Sequence, residues 1–367
     1  MTLAPESPSR RRSRLLSLFE AMTAPHRVDR YLELVDPMLS VDDMRAEVTE
    51  VRRQTPDTVT LTLRPTRHWE GFRAGQFVQI GVVVDGIRQT RCYSPACSQR
   101  RSDGQIELTI KAQKDGIVSQ HLNANAVPGL VVSLEQASGT FTLPSPLPDN
   151  VLLISGGSGV TPVMSMLRTL VDDGYAGRIA FLHYAYTEKD VPYRQELESI
   201  AAQNDNVDVY FAYTDQDQGG DLHGFFDTEH LGTVAPWHTD AHTFLCGPPG
   251  LMKGVSGIFD DLGLSELLHT EEFVTTPAVA DEDATGTVSF SGSDVTAENS
   301  GSTLLEQAES AGLTPEYGCR MGICFTCTSV KKSGCTKNVK SGEIDSDPDS
   351  HIQLCVSVPV GDVDIDI

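Results

Sequence analysis

The segment that decides the fold lies near the carboxyl end and reads Tyr317-Gly318-Cys319-Arg320-Met321-Gly322-Ile323-Cys324-Phe325-Thr326-Cys327. Three cysteines stand in the spacing C-x4-C-x2-C, and Cys355 follows after a gap of 27 residues. Because three thiolates of one short loop must converge on one centre, the backbone has to fold back on itself. We expect Gly318 and Gly322 to permit this with positive φ angles and to direct amide N–H groups at the sulfur atoms.

This spacing is the ligand pattern of a plant-type [2Fe–2S] cluster, with Cys319, Cys324, Cys327 and Cys355 as the iron ligands. A zinc site and disulfide bonds are the alternatives. Zinc usually takes C-x2-C pairs or paired histidines, whereas here one pair is stretched and the fourth cysteine stands alone. The pattern therefore favours the iron–sulfur centre.

Length and charge limit the class of protein. The 367 residues predict two or three domains, and 39% hydrophobic and 22% charged residues are typical of a soluble globular protein. The formal net charge of −23 argues against a nucleic-acid partner, and no apolar run is long enough to span a bilayer. Residues 281–367 carry 15 Asp and Glu against 5 Lys and Arg, which indicates either a solubilising surface or docking on a basic partner.

The remaining cysteines and the amino terminus bear on the compartment. Cys92, Cys97, Cys246 and Cys335 form no secretory disulfide framework, which favours the cytoplasm, and Cys335 is expected to be a bystander. Residues 1–44 are expected to form an extension of helical and irregular character. A short basic amphipathic helix at 15–22 would pack on the protein or touch a membrane.

The hydrophobic pattern divides the rest of the chain. Alternation at period two over residues 45–146 predicts an antiparallel β-barrel. Alternation of strands and helices over residues 147–276 predicts a parallel α/β domain. A linker at 277–285 then precedes the cysteine-rich domain at 286–367.

Two segments of the predicted barrel suit a flavin. In Arg91-Cys92-Tyr93-Ser94, the arginine can clamp a pyrophosphate, Tyr93 would lie on the same side and stack on the ring, and Ser94 could hydrogen-bond its reactive edge. A surface arginine beside a buried tyrosine is the alternative. Downstream, Asp115-Gly116-Ile117-Val118-Ser119 leads into a predicted helix at Gln120–Asn123, whose start offers free N–H groups to phosphate.

A glycine-rich turn in the α/β domain suits a nucleotide. Ile154-Ser155-Gly156-Gly157-Ser158-Gly159-Val160-Thr161-Pro162 joins a buried strand to a helix, and its glycines permit close approach of a pyrophosphate. Pro162 stands where the standard motif ends in glycine, but proline suits the first turn of a helix. A tight turn without a ligand is the alternative. Cys246-Gly247-Pro248-Pro249 favours the ligand, because it ends a later strand at the edge where parallel sheets bind ligands.

In this order, R-x-Y-S, G-x-V-S, G-G-x-G-x-T-P and C-G-P resemble the ferredoxin–NADP reductase superfamily over residues 45–367. The appended C-x4-C-x2-C domain is similar to that of reductase components of oxygenases and desaturases. The resemblance implies three folded units: an FAD-binding antiparallel β-barrel, a Rossmann-like α/β domain that binds NADH or NADPH, and an α+β ferredoxin domain of the β-grasp type.

The resemblance also implies the roles of individual residues. Arg91, Tyr93 and Ser94 would bind FAD, with Gly116, Val118 and Ser119 at its pyrophosphate. Gly157, Thr161 and Pro162 would hold the nicotinamide nucleotide, and Tyr93, Ser94 and Cys246 would lie at the reacting atoms. Phe273 would cover the flavin face, with a core aromatic as the alternative.

The choice of nucleotide stays open from the sequence. NADPH-dependent relatives place an arginine after the second strand of this domain, where this chain has Tyr186. Arg194 or Lys189 would then have to meet the 2′-phosphate, and Arg194 is the nearer candidate.

The implied activity is electron transfer from NAD(P)H through FAD and the cluster to an external acceptor protein. That acceptor would be a fatty-acid desaturase or an oxygenase, and it could be membrane-bound. The protein itself would lie in the cytoplasm, or at the membrane through its partner. The stretches His26–Leu32 and Trp69–Gln76 resemble actinobacterial reductases paired with desaturases. Two alternatives are an electron-transfer subunit of a complex, against which the gap of 27 residues argues, and a redox-sensing module without turnover.

Overall fold

The computed structural model describes residues 28–41, 43–114, 116–273 and 284–367. The predicted amphipathic helix at 15–22 and most of the predicted linker lie outside these ranges. Helix α1 (Val28–Leu32) is the first described element. No helix in the described ranges is long and apolar enough to cross a membrane.

The first folded unit is the predicted antiparallel barrel. Its sheet has the order β4-β3-β6-β1-β2-β5. The two edge strands meet where the Ala96 N–H donates to the Glu107 carbonyl oxygen at 2.8 Å, beside a bridge between Pro95 and Leu108, and this closes the barrel. The strands are β1 (Arg45–Thr55), β2 (Thr58–Pro65), β3 (Val78–Val84), β4 (Ile87–Tyr93), β5 (Ile106–Lys111) and β6 (Val131–Leu134).

Apolar burial explains why these residues close into a barrel. The inward side chains Val48, Leu61, Ile80 and Leu108 have no exposed surface, and burial of one such side chain contributes about 1.5–3 kcal/mol. Helix α2 (Ile117–Asn125) packs across β3, β4 and β5. It begins earlier than the predicted helix at Gln120–Asn123.

The second unit is a parallel sheet in the order β10-β9-β8-β7-β11-β12. The chain moves outward from β7 in both directions, so a topological switch lies between β7 and β11, where such sheets bind ligands. Its strands are β7 (Asn150–Gly156), β8 (Arg178–Ala185), β9 (Val207–Tyr213), β10 (Leu222–His223), β11 (His242–Cys246) and β12 (Leu268–Glu271). Its helices are α3 (Val160–Asp172), α4 (Arg194–Gln203), α5 (Thr228–Val234) and α6 (Pro249–Asp261).

The third unit is a small mixed sheet with one helix. The sheet has the order β14-β13-β18-β15-β16, in which β13 and β18 run parallel, and β17 pairs with β15. Its elements are β13 (Thr287–Phe290), β14 (Val295–Glu298), α7 (Leu304–Ser310), β15 (Thr328–Asn338), β16 (Ile344–Asp345), β17 (Ser350–Gln353) and β18 (Ser357–Asp366). Cys327 and Cys355 share its core with Phe290 and Leu304, so the core anchors two of the predicted iron ligands.

An ionic network joins the barrel to the α/β domain. Arg168 of α3 binds Glu196 of α4 through two hydrogen bonds of 2.7 and 2.6 Å. The same guanidinium donates to the Ala96 carbonyl oxygen at 2.7 Å and to Glu107 of the barrel at 3.1 Å, and it stacks on the Tyr193 ring. These contacts fix the angle at which the two domains meet.

Candidate functional site: two cofactor sites and a thiol cluster

The cysteine loop is curled by residues with positive φ. Arg320, Gly322 and Phe325 have φ angles of 58°, 70° and 56°. The curl turns backbone amides toward sulfur. The Cys319 N–H donates to Cys324 Sγ at 3.1 Å, and the Gly322 N–H donates to Cys355 Sγ at 3.3 Å. The predicted N–H groups are therefore present and donate to the sulfur atoms, as N–H groups do around the sulfur atoms of iron–sulfur sites.

Gly318 does not have the positive φ angle that was predicted for it. Gly322 does have one. A Cβ atom on Gly318 would lie 2.8 Å from Cys324 Sγ and 2.8 Å from Thr326 Oγ1. Glycine is needed there because a side chain would displace the Cys324 sulfur.

The four predicted ligands form two pairs. The thiols of Cys319 and Cys324 contact each other, and so do those of Cys327 and Cys355. Contact with Cys319 lowers the pKa of Cys324, and contact with Cys355 lowers the pKa of Cys327.

Pairs of thiols fit a cluster of two irons. In such a cluster each iron takes two protein thiolates and two bridging sulfides. Within the described ranges, no group of three or more His, Cys, Asp or Glu side chains is placed to hold a single metal ion.

The cysteine loop lies against the barrel. Gln79 Nε2 of β3 donates to Thr326 Oγ1 at 3.3 Å. The guanidinium carbon of Arg91 lies 5.7 Å from the centroid of the Tyr317 ring. Cys92, which sequence reasoning left without a role, contacts the thiols of Cys319 and Cys324.

The predicted flavin residues of β4 lie at the edge of the barrel. Arg91 donates to the Thr90 carbonyl oxygen at 2.7 Å, and no carboxylate of the described residues pairs with it. Helix α2, which contacts β4, begins at Gly116 without a side-chain cap, so its first amides lack a side-chain partner. An arginine without a carboxylate partner, on a strand that contacts an uncapped helix, fits a pyrophosphate.

The other two residues predicted near this pyrophosphate have internal roles. Val118 is buried in the barrel core, so only its backbone is available to a ligand. Ser119 Oγ donates to the Gly116 carbonyl oxygen and accepts from the Gln113 N–H, each at 3.1 Å. Ser119 thus holds the turn in shape.

Ser94 and Cys246 are brought together by a residue to which the sequence assigned no role. Glu271 ends β12 and is the register partner of Cys246 at the end of β11. Ser94 Oγ donates to Glu271 Oε2 at 3.5 Å. Although part of Glu271 reaches the surface, desolvation of its carboxyl raises the pKa to about 8. Burial likewise raises the pKa of Cys246, so both groups keep their protons at pH 7.

Tyr93 and Phe273 flank this group. Tyr93 is partly buried against the barrel core, and desolvation raises the pKa of its hydroxyl. Phe273 packs against a core cluster that also contains Cys246 and Phe141. Phe273 therefore has the contacts of a core aromatic, which is the alternative given for it above. Its role in covering the flavin face stays a prediction.

The glycine-rich turn crosses the end of β11 at the topological switch. A Cβ atom on Gly159 would lie 2.1 Å from the Cys246 carbonyl oxygen, so only glycine allows the two turns to touch. Gly157 has a φ of 53° and open space around it. Thr161 and Pro162 lie in the first turn of α3, which has no side-chain cap. This start of a helix is open to a nucleotide phosphate.

A lysine of the barrel faces this turn. Lys111, Thr58 and Thr109 line a cleft together with Gly157, Ser158 and Thr161. His183 lies below, fully buried, with Nδ1 bonded to Ser155 Oγ at 2.9 Å and with no partner for Nε2 among the described residues. Desolvation, assisted by the charge of Lys111, lowers the pKa of His183 to about 3. Lys111, which also lies 3.5 Å from Asp57, and the uncapped helix start together fit a nucleotide diphosphate.

Arg194, the predicted 2′-phosphate ligand, begins α4 and is already paired. It lies 3.2 Å from Glu188 and 2.8 Å from Glu198, and its guanidinium carbon is 5.1 Å from the Phe211 ring centroid. Tyr186 is 62% exposed. A phosphate at Arg194 would have to compete with two carboxylates.

Comparison with known proteins agrees with this arrangement. Residues 45–143 match the oxidoreductase FAD-binding domain, residues 153–257 the oxidoreductase NAD-binding domain, and residues 288–360 the 2Fe-2S iron-sulfur cluster binding domain. A relative named NADPH oxidoreductase, from Mycobacterium tuberculosis, is 34% identical over 351 residues, which are 94% of this chain and 90% of the relative. The chain belongs to the ferredoxin–NADP reductase superfamily. Within it, the chain is of the kind with a carboxyl-terminal [2Fe–2S] domain.

Two further similarities concern oxygenase systems. The glycine betaine monooxygenase reductase subunit of Pseudomonas aeruginosa is 30% identical over 322 residues, which are 80% of this chain and 87% of that protein. The structure of phthalate dioxygenase reductase superimposes with a TM-score of 0.61 at 22% identity, over 89% of this chain and 98% of that chain. This chain is thus an NAD(P)H-, FAD- and [2Fe–2S]-dependent electron-transfer reductase, homologous to oxygenase reductase components.

Proposed function

We propose that this reductase delivers electrons to the oxygen-activating component of an oxygenase, which is a separate protein. The observation that carries the proposal is the match, over most of the chain, to reductase subunits of glycine betaine monooxygenase and stachydrine N-demethylase. A fatty-acid desaturase is the second candidate acceptor. It rests only on the resemblance of His26–Leu32 and Trp69–Gln76 to desaturase reductases.

In this proposal the domains 45–146, 147–276 and 286–367 act in sequence, after the extension 1–44 and joined by the linker 277–285. NAD(P)H supplies a hydride, and FAD, when bound, accepts the electron pair and releases single electrons to the cluster. The protein contributes positions, charges and the exclusion of water. Its site in the cytoplasm, or at a membrane through its partner, stays a prediction.

The residues of the two nucleotide sites would bind and orient FAD and NAD(P)H. Arg91 and the start of α2 would neutralise the FAD pyrophosphate. Lys111 and the start of α3, with Gly157, Thr161 and Pro162, would hold the phosphates of NAD(P)H. A protein cation beside an uncapped helix makes both sites attractive to anions.

Glu271 and Cys246, near the proposed site of hydride transfer, keep their protons. The Glu271 carboxyl is neutral at pH 7 and keeps its proton beside Ser94 and Cys246. A neutral carboxyl avoids placing a negative charge where a hydride must arrive. Ser94 orients Glu271, and the buried Cys246 thiol excludes water from the same place.

The proposal is tested with Cys324→Ser and with Cys335→Ser as the matched control. Cys324→Ser should remove the cluster spectrum and abolish NAD(P)H-driven turnover of a purified oxygenase subunit of glycine betaine monooxygenase. NAD(P)H–ferricyanide reduction should persist, because a flavin can reduce ferricyanide directly. Cys335→Ser should leave all three readouts unchanged.

Two outcomes would contradict the proposal. Loss of ferricyanide reduction together with the cluster would mean that the domains do not act as a relay. Turnover of a membrane fatty-acid desaturase, with none of the oxygenase subunit, would replace the oxygenase by the second candidate acceptor.

A further inference from the structure

Cys92 lies where the two redox domains touch. It is the residue between Arg91 and Tyr93, and it projects from the edge strand β4 toward the cysteine loop. Its thiol is in hydrogen-bonding contact with the sulfur atoms of Cys319 and Cys324. These two cysteines are one of the ligand pairs, so a barrel residue reaches the sulfur atoms that would hold one iron.

Two further contacts keep the loop over this residue. Gln79 is the register partner of Cys92 across β3 and β4, and it donates from Nε2 to Thr326 Oγ1 at 3.3 Å. Arg91, the preceding residue, lies against the Tyr317 ring at the start of the loop. The contact of Cys92 with the ligand pair is therefore part of a domain interface and is anchored on both sides.

We propose that Cys92 is a fifth thiol of the cluster site, which binds no iron and donates a hydrogen bond from the barrel to the ligand sulfurs. The four ligands lose their protons when they bind iron. Cys92 stands outside this ligand set, and a thiol that binds no metal has an S–H group that can donate a hydrogen bond. Its S–H group points at sulfur atoms whose negative charge grows when the cluster takes up an electron.

The expected consequence is a cluster potential that depends on docking. A hydrogen bond to a ligand sulfur stabilises the reduced cluster and raises its reduction potential. Because the donor belongs to the barrel, this stabilisation exists only while the ferredoxin domain is docked there. The docked cluster accepts an electron from the flavin more readily, and an undocked cluster is the stronger reductant for a partner. This inference rests on the proposed relay from FAD to the cluster.

The test is a redox titration of the cluster in the full-length, cofactor-loaded protein, followed by electron paramagnetic resonance and by iron content. Cys92→Ala should shift the one-electron equilibrium against the reduced cluster by several-fold, where tenfold corresponds to about 59 mV. Cys92→Ser keeps an O–H donor and should stay near the wild type. Cys335→Ala removes a thiol elsewhere in the ferredoxin domain and should have no effect.

A second variant tests the dependence on docking. Gln79→Leu removes the bond to Thr326 and should lower the potential in the same direction. In that background, Cys92→Ala should add less than it does alone, because both changes remove the same interaction. Full additivity would overturn the dependence on docking.

The reduction potential and the iron content of the Cys92 variants can each overturn the proposal. An unchanged potential in Cys92→Ala at full iron content would overturn the proposal. Loss of iron in both Cys92 variants would also overturn it, since Cys92 would then be needed to hold the cluster. NAD(P)H is added to the same wild-type sample as a separate readout. If NAD(P)H fails to reduce the cluster, the relay is refuted. The effect of Cys92→Ala on the reduction potential is then still decided by the redox titration.

Discussion

Replacement of Glu271 by glutamine tests the environment of the proposed hydride site. Glutamine has the shape of the neutral carboxyl but cannot ionise. In the folded protein desolvation raises the pKa of Glu271 to about 8, against an ordinary value of 4.5. At pH 7 the carboxyl is therefore protonated in the folded protein and ionised in the unfolded chain.

The sign and size of the effect follow from proton binding. The folded state binds more protons than the unfolded state between these two pKa values, so the contribution of Glu271 to stability is complete below about pH 4.5 and is lost as the pH rises through about 8. Between pH 7 and pH 9 the ratio of protonated to ionised Glu271 falls from about ten to one to about one to ten. The corresponding loss is about 1.4 kcal/mol.

The assay is denaturant unfolding of wild type and Glu271→Gln at pH 7, 8 and 9 with equal FAD content. Other groups that titrate in this range are common to both proteins, so the difference reports Glu271. The wild type should lose about 1.4 kcal/mol more than the variant. Ser94→Ala removes a hydrogen bond that lowers this pKa, so the stability of that variant should continue to fall to higher pH and should drop more between pH 7 and pH 9 than that of the wild type. A difference that does not change with pH would refute the buried neutral carboxyl.

Three further predictions concern other contacts. Arg91→Ala should weaken FAD retention by about ten- to a hundredfold, since a hydrogen bond to a charged group contributes about 1.5–3 kcal/mol, and unchanged FAD content after dialysis would move the pyrophosphate site. If NADPH is the nucleotide used, Arg194→Ala should raise the KM for NADPH several-fold and leave that for NADH unchanged; a wild type that prefers NADH, or steady-state kinetics of the variant that treat both nucleotides alike, would remove Arg194 from the site. Arg168→Met should lower the free energy of unfolding by about 3 kcal/mol, measured by chemical denaturation, because it leaves Glu107 largely buried with less compensation. A change below about 0.5 kcal/mol would contradict a role for this network in joining the domains.

Local patterns predicted much of this molecule. The predicted alternation of strands and helices is present in the α/β unit, and the glycine-rich turn joins β7 to α3, because each segment combines a buried apolar run with its own turn residues. The cysteine spacing likewise predicted a domain that comparison with known families confirms. In each case the information lies within a short stretch of chain.

What the sequence did not reveal depends on contacts between distant segments. Cys92 meets Cys319, Lys111 faces Gly157, and Glu271 meets Ser94 only after the domains have docked. No periodicity marks such residues. One feature could have drawn attention to Glu271: it ends a strand that pairs with the strand ending in the C-G-P sequence. That pairing becomes visible only when the order of the strands in the sheet is known.

The error at Gly318 has the same origin. A glycine in a tight loop suggested a special backbone angle, but the reason for it is the sulfur atom of Cys324, which comes close only when the loop closes. Arg320 and Phe325 adopt the positive φ instead, and neither residue type predicts that conformation.

In the proposed relay, electrons reach the cluster through the flavin. The most direct measurement is anaerobic addition of NADH or NADPH to the FAD-loaded protein and to FAD-depleted Arg91→Ala, with electron paramagnetic resonance of the reduced [2Fe–2S] cluster as the readout. The signal should appear in the loaded protein, stay absent in the depleted variant and return when FAD is restored at high concentration. A cluster that is reduced at the same rate without FAD, or that stays oxidised in the loaded protein, would contradict the relay.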